Sequence, residues 1–225
     1  MAVSLVIPVL NEARRINEAI AGIRAIDGHV ELIVVDGSPE GETVRAITDN
    51  GVIRLTSSRG RASQMNRGAS QAKGEALLFL HADTDLPPHA FERIESILAD
   101  DRFVGGAFDL EIGDKGAAFR MIGWLASLRS RLTRIPYGDQ AIFLRRNYFN
   151  ELGGFRDMLI MEDVDLMRRV RRAGGRICIV KDRVRTSSRR WRKEGILRCT
   201  LRNRTLMLLY LLGVAPEKLA RRYRY

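Results

Sequence analysis

The sequence predicts an α/β domain built on a mainly parallel sheet with helices on both faces. Strand-like apolar runs alternate with stretches of helical spacing from the first residues onward. Runs such as Leu32-Ile33-Val34-Val35 and Leu77-Leu78-Phe79-Leu80 are apolar throughout, as strands buried on both faces are. Each empties into short acidic or turn-forming residues, and parallel connections would gather those groups on one rim.

Val3-Ser4-Leu5-Val6-Ile7 reads as the first strand, stopped by Pro8. Asn11 offers a helix cap, with Ile16, Ala19, Ile20, Ile23 and Ile26 following at helical spacing. Leu32 to Val35 forms the second strand and ends in Asp36-Gly37-Ser38-Pro39, a turn. A short helix over about 41–49 and a strand from Val52 to Thr56 follow. A helix from Gly60 to Ala72, stopped by Gly74, then leads to the Ala76–Leu80 strand. Phe91, Ile94 and Leu98 give the next helix its inner face.

After Asp101 the rhythm changes. Val104 to Ile112 reads as a long strand with a glycine pair, and Ala117 to Arg134 as an arginine-edged helix. In that helix Trp124 shares helical spacing with Met121, Leu125 and Leu128, so it is expected in the core. Ala141 to Leu144 is a short strand, Glu162 to Ala173 a helix ended by Gly174-Gly175, and Arg176 to Val180 a strand. From Trp191 onward the chain reads as helical and amphipathic.

A chain of 225 residues that is 45% hydrophobic fits one large domain, with or without an appendage, and is not disordered. Charge is unevenly placed. Residues 1–119 carry 12 basic and 18 acidic residues, net −6, whereas residues 120–225 carry 26 and 9, net +17. Only five of the 38 basic residues are lysines, and arginine is the better bidentate phosphate binder. Cys178 and Cys199 lack metal-site spacing and point to a reducing compartment. No secretory leader precedes the Ser4–Val9 strand, so a cytoplasmic location is expected. The uncharged stretch from Thr205 to Pro216 is twelve residues, short of the ~20 a spanning helix needs.

Three acidic sites fall at strand ends or in loops on the same side: Asp36, the His81-Ala82-Asp83-Thr84-Asp85 segment, and Glu162-Asp163. Taken singly, each reads as a turn residue or helix cap; together, parallel topology lets them converge. A carboxylate at the end of a buried strand needs a cation or a donor, and magnesium or manganese bridges carboxylates to phosphates. Neither G-x-G-x-x-G after the first strand nor G-x-x-x-x-G-K-[ST] occurs, which removes the dinucleotide-fingerprint and P-loop readings. His29 and His89 show no ligand spacing with His81, so zinc is not indicated.

The stretches Val3 to Glu12, Val34-Val35-Asp36-Gly37-Ser38, and Gly74-Glu75 leading into Leu80-His81-Ala82-Asp83 resemble family 2 glycosyltransferases. Gly153-Gly154-Phe155, Glu162-Asp163 and Arg190-Trp191 extend the resemblance over nearly the whole chain. It implies a GT-A fold and inverting transfer of a single sugar from a nucleotide-diphosphate sugar to a hydroxyl acceptor. A GT-A domain over 1–190 would divide into a nucleotide-sugar half (about 1–100) and an acceptor half (about 101–190), followed by a basic helical tail over 191–225. The resemblance further implies that Pro8, Asn11, Glu12 and Asp36 hold the nucleoside. Asp83, next to Ala82, would bind a divalent cation (Mn2+ or Mg2+), with Asp85 as the second ligand. Asp163 would be the general base, and Arg190 and Trp191 would steady the pyrophosphate and line the site.

Three positions depart from the family pattern: Val35 and His81 stand where aspartates are usual, and Ser187 where a glutamine is usual. Arg61 is placed at the donor phosphate or sugar, and Asp139, Gln140 and Glu162 at the acceptor side. Arg198, Arg202 and Arg204 ahead of Leu206-Met207-Leu208-Leu209, with Arg221-Arg222-Tyr223-Arg224, would suit an anionic membrane at the inner face and a lipid-linked acceptor. The same leucines could instead pack on the domain or form a homodimer. Two other readings compete. A sugar nucleotidyltransferase needs a glycine-rich, lysine-bearing signature near the start, which is absent. A basic nucleic-acid-binding protein fits the second half's charge, but an acidic cleft repels phosphate, so no nucleic acid is expected as partner.

Overall fold

The computed structural model describes residues 1–26 and 28–222. Strands β1 (Val3–Val9), β2 (Val30–Asp36), β3 (Val52–Thr56) and β4 (Ala76–Phe79) run parallel, joined through α1 (Ile16–Arg24), α2 (Glu42–Arg45) and α3 (Arg61–Gln71). Next come β5 (Thr84–Asp85), α4 (Ala90–Leu98), β6 (Gly105–Ile112), α5 (Ala117–Thr133), a 3-10 turn at Gly138–Gln140, β7 (Phe143–Arg145), α6 (Arg146–Glu151), α7 (Glu162–Arg172) and β8 (Ile177–Thr186). Helices α8 (Arg189–Glu194), α9 (Ile196–Leu211) and α10 (Pro216–Arg222) follow. Tyr223 and Arg224 of the expected basic tail lie outside the described residues.

The eight strands form one sheet in the order β3-β2-β1-β4-β7-β6-β8-β5. β7 is antiparallel to both β4 and β6, β6 and β8 are parallel, and β5 closes the edge antiparallel to β8. Period-two burial explains the two cores. Val3, Leu5, Ile7, Leu32, Val34, Ala76 and Leu78 face α1 and α4 through Ile16, Ile20, Ile23, Phe91 and Ile94. Val6, Ile33, Val35, Leu77 and Phe79 face α3, α6 and α7 through Met65, Phe149, Leu166 and Val170. The chain winds from β1 outward to β3, then returns to place β4 on the other side of β1. That reversal sets a topological switch point at the carboxyl ends of β1 and β4, the place where open α/β sheets hold ligands.

Four expectations change. β1 does not stop at Pro8; it runs to Val9, because β4 pairs with β1 only as far as Val6 and Pro8 needs no N–H on that side. Asn11 does not cap α1: its φ is +59° and the helix starts at Ile16. β8 is ten residues rather than five, kinked by a bulge opposite Phe108/Asp109. Trp124 is 60% exposed, not core. α5 turns Phe119, Gly123, Ser127 and Ser130 inward instead. A Cβ on Gly123 would lie 2.7 Å from the Leu110 carbonyl, so small residues let this helix lie close on β6, and Ser127 Oγ accepts from the Leu110 N–H at 3.0 Å.

Candidate active site

Asp83 sits in the turn after β4, whose chain reversal is fixed by the Thr84 N–H donating to the His81 carbonyl at 3.1 Å. The Asp83 carbonyl accepts from the Ser187 N–H at 3.0 Å, so the loop after β8 is stitched to the loop after β4. Thr84 turns inward and pairs with Thr186 Oγ1 at 3.1 Å, while Asp85 is exposed opposite Arg185. Asp163 lies in the first turn of α7. Its Oδ2 accepts from the Gly138 N–H at 2.6 Å and its Oδ1 from the Val164 N–H at 2.7 Å. A Cβ on Gly138 would meet His81 Nε2 at 3.1 Å and Asp163 Oδ2 at 3.3 Å, which places the β4 loop, the 3-10 turn and the start of α7 against one another.

Asp139 lies among these groups. Burial pushes its carboxyl up to about 6; Arg129 and Arg61 oppose that, and the negative charges of Asp163 and Asp83 add to it. Asp83 and Asp163 therefore both act on Asp139. Asp85 is not among the charges acting most strongly there. Glu162 is 3% exposed; burial first, then Asp163, raise it to about 7, with Arg61 opposing from 3.8 Å. His81 is pushed down to about 3 by burial and by Arg61, so its imidazole is neutral. Arg61, expected from its loop alone, thus reaches His81, Asp139 and Glu162.

Arg190 joins from α8. Burial together with Arg202 and Arg61 lowers its pKa, and Glu194 pairs with it at 3.6 Å. The Trp191 indole N–H is buried with no partner among the described residues. Ala82 beside Asp83 and Pro8 near the end of β1 are both half-buried. Glu12 turns elsewhere, its carboxylate pairing with Arg189 at 3.2 Å, while Asn11 stays exposed in its turn.

Two expected ligand residues have other work. Asp36 is 0% exposed, and its oxygens accept from the N–H groups of Ser38 (2.9 Å), Thr43 (2.7 Å) and Val44 (3.4 Å). It builds the β2–α2 loop, and no surface of it is left for a nucleoside. Gln140 is also 0% exposed, bound to Ser130 Oγ at 2.6 Å, Arg129 at 3.2 Å and the Phe108 carbonyl at 2.9 Å. It anchors α5 and the 3-10 turn to β6 and does not face an acceptor. Arg129, absent from the sequence-derived site, stacks on the Tyr137 ring at 3.2 Å and is the main positive charge on Asp139. Its only sequence signal was a place on an arginine-edged helix.

A divalent cation suits these residues. Asp139 Oδ1 is buried with no partner among the described residues, and the like charges of Asp83 and Asp163 face it. Among the described residues no group of three or more His, Cys, Asp or Glu is placed to hold a metal ion by itself, so an ion here would take most of its shell from phosphate oxygens and water, as magnesium and manganese do.

The model of "Glycosyl transferase family 2" matches residues 4–158, a span that includes Asp83 and Asp139 and stops short of Asp163 and Arg190. A PGL/p-HBAD biosynthesis glycosyltransferase of Mycobacterium tuberculosis is 30% identical over 164 residues, 68% of this chain and 62% of the relative. An undecaprenyl-phosphate 4-deoxy-4-formamido-L-arabinose transferase of Sodalis glossinidius is 26% identical over 155 residues, 64% of this chain and 48% of the relative. The chain thus spans about half to three fifths of these curated relatives. Among solved structures, the mannosyltransferase PcManGT of Pyrobaculum calidifontis with GDP-Man and Mn2+ superposes with a TM-score of 0.68 at 22% identity, covering 96% of this chain and 66% of that one. TarS 1-349 of S. aureus with UDP-GlcNAc gives 0.66 at 17% identity, covering 83% and 58%. The mixed, mostly parallel GT-A-type sheet expected from the sequence is the one the chain adopts, and the chain belongs to glycosyl transferase family 2.

Proposed function

We propose that the chain transfers a single sugar from a nucleotide-diphosphate sugar to a hydroxyl acceptor with inversion at the anomeric carbon. The observation that carries this reading is the packing of the β4 loop, the 3-10 turn and the start of α7 around Gly138, with Asp83, Asp163 and Arg61 all acting on Asp139 and Arg61 also acting on Arg190. Asp163 is the base: two N–H donors fix its carboxylate, and it takes the proton of the attacking hydroxyl. Asp83, with Asp139 behind it, would hold a divalent ion, which when bound neutralises charge on the departing diphosphate. Arg61 and Arg190 add fixed positive charge on the leaving-group side, and the Trp191 N–H supplies a donor. Glu162, raised to about 7, keeps Arg61 aimed without adding a full negative charge beside Asp163.

The likeness to structures holding UDP-GlcNAc and GDP-Man with Mn2+ supports the donor class and the ion. The undecaprenyl-phosphate relative supports a lipid-linked acceptor. No described helix is long and apolar enough to cross a membrane. Contact with a bilayer would therefore fall to the exposed leucines of α9, at the inner face of the membrane if the protein is cytoplasmic.

Titrating nucleotide sugars with and without manganese, followed by melting temperature, tests the donor site, since a ligand of the folded form raises it. Asp83→Asn is expected to abolish the manganese-dependent part of the shift. Asp163→Asn is expected to keep the shift and lose about 100- to 10,000-fold in transfer. Full transfer by Asp163→Asn overturns the base assignment.

A further inference from the structure

Helix α8 presents two charged faces. Arg190 turns toward Arg61 and Glu194, in the site already described. Arg189, Arg192 and Lys193 turn the other way and, with Arg15 at the start of α1 and Ser187 and Ser188 before α8, line a separate open depression. Arg189 is paired with Glu12 at 3.2 Å, and Arg192 with Asp114 at 2.6 Å. The Arg192 guanidinium, with Ser188 helping, holds the Asp114 carboxyl down at about 2, so Asp114 stays ionised over the ordinary pH range. Arg15 and Lys193 have no carboxylate partner among the described residues. The lining thus holds two arginines paired with carboxylates and two exposed cations without a carboxylate partner among the described residues. That excess matches a phosphoryl group, which carries about −1.5 to −2 at neutral pH. Ser187 Oγ accepts from the Arg189 N–H at 3.2 Å, and its own O–H remains to donate. The depression adjoins that site, because the Ser187 N–H is bonded to the Asp83 carbonyl.

We infer that this depression is a second phosphate site, outside the donor diphosphate site, which takes a phosphoryl group carried by the acceptor. The assignment rests on the glycosyltransferase reading for the acceptor, while binding of phosphate itself does not. Arginine forks and hydroxyls supply the charge-assisted hydrogen bonds that tetrahedral oxyanions take. Placing the anion next to Asp83 but on the other face of α8 would orient the acceptor without adding negative charge to the leaving-group side.

Isothermal titration calorimetry with inorganic phosphate at fixed ionic strength tests it, comparing the unaltered chain with Arg15→Gln/Lys193→Gln. Both side chains are exposed, so the variant should fold. Phosphate affinity is expected to fall about tenfold or more, with UDP and GDP affinities in manganese held within about twofold. Unchanged phosphate affinity overturns the site. An equal loss of UDP or GDP affinity also overturns it, because the depression would then belong to the donor. Absence of UDP and GDP binding in both proteins would instead strike the donor reading and leave the phosphate result standing. Sedimentation with phosphatidylcholine vesicles containing phosphatidic acid or phosphatidylserine separates the sources. Binding that prefers phosphatidic acid and is lost in the variant assigns a lipid-borne phosphate; phosphate binding without that preference assigns a soluble one.

Discussion

The Gly138 N–H donates to Asp163 Oδ2 at 2.6 Å, so the loop ahead of β7 holds the carboxylate at the start of α7. His81 of the β4 loop closes the other side of the same glycine, its Nε2 3.1 Å from where a Cβ would stand. Three segments distant in sequence are thereby set against each other by a residue without a side chain. In chemical terms, Asp163, the proposed base, and the loop carrying Asp83 share one spacer, and changing its size changes both.

Gly138→Ala should therefore damage turnover more than folding or donor binding. The added methyl lies 3.1 Å from His81 and 3.3 Å from Asp163 Oδ2, so one of them must give by a few tenths of an ångström. Misplacement of a catalytic group on the ångström scale costs up to about a hundredfold, and we expect a ten- to hundredfold loss in kcat. Steady-state kinetics with donor KM held within about threefold would agree; an unchanged kcat would show that the spacer is not tight.

Asp36 offers a contrast between structural and ligand-binding carboxylates. Its oxygens satisfy three backbone N–H groups at 0% exposure. Asp36→Asn puts an amide N–H₂ against those donors and should cost on the order of 3 kcal/mol in urea unfolding. UDP and GDP affinity of the folded variant should hardly move. A loss of nucleotide affinity at unchanged stability would return Asp36 to the nucleoside.

Glu162 gives the stability a defined pH dependence. Its folded pKa of about 7 lies above the ordinary 4.5, chiefly through burial. The folded state thus holds the proton more tightly than the unfolded chain does. The resulting stability is fully present below about 4.5 and is lost as pH rises through about 7. Glu162→Gln should flatten that decline, by on the order of 3 kcal/mol across the window, reduced by whatever the Arg61 pair contributed. Parallel unfolding curves for the two proteins across that pH range would mean that Glu162 is already ionised in the fold.

What could be read from the sequence follows the range of the forces involved. β1, β2 and β4 were legible because burial on both faces leaves largely apolar runs, β3 because it follows the same β-α rhythm, and Asp83 and Glu162-Asp163 because they sit where those runs and the α7 periodicity begin or end. β5 was not, since two residues become a strand only by pairing with β8. The far half of β8 was hidden because Lys181, Asp182, Arg183 and Arg185 give it a loop's composition, although Val184 and Thr186 alternate inward. Arg129 and Gln140 acquire their roles only when α5 lies across β6, a contact that Gly123 and Ser127 permit and that no local pattern announces. The loop-building hydrogen bonds of Asp36 were hidden for a related reason: at a strand end, a ligand-binding carboxylate and a loop-building one look alike until the backbone N–H groups around them are located.

The exposed face of α9 yields the last prediction. Cys199 and Leu206 are its buried residues, and Leu206 packs with Ile160 and Leu219 of α10. On the opposite face Leu197, Leu201, Leu208, Leu211 and Leu212 are 53–81% exposed, with Arg204 among them and Arg198 at the edge. An apolar stripe with arginines beside it fits the boundary of an anionic bilayer, the leucines entering and the guanidinium groups meeting lipid phosphates. Burying one leucine gains roughly 1.5–3 kcal/mol when complete. With partial burial, Leu201→Ser/Leu208→Ser should weaken binding to phosphatidylserine-containing vesicles by about ten- to a hundredfold. Binding of the unaltered chain should also weaken as salt screens the arginines. Nucleotide binding should be unaffected, because both leucines point away from the domain. If sedimentation equilibrium instead finds a dimer that the same double substitution dissociates, with no vesicle binding by the unaltered chain, the stripe is a subunit interface and the membrane assignment fails.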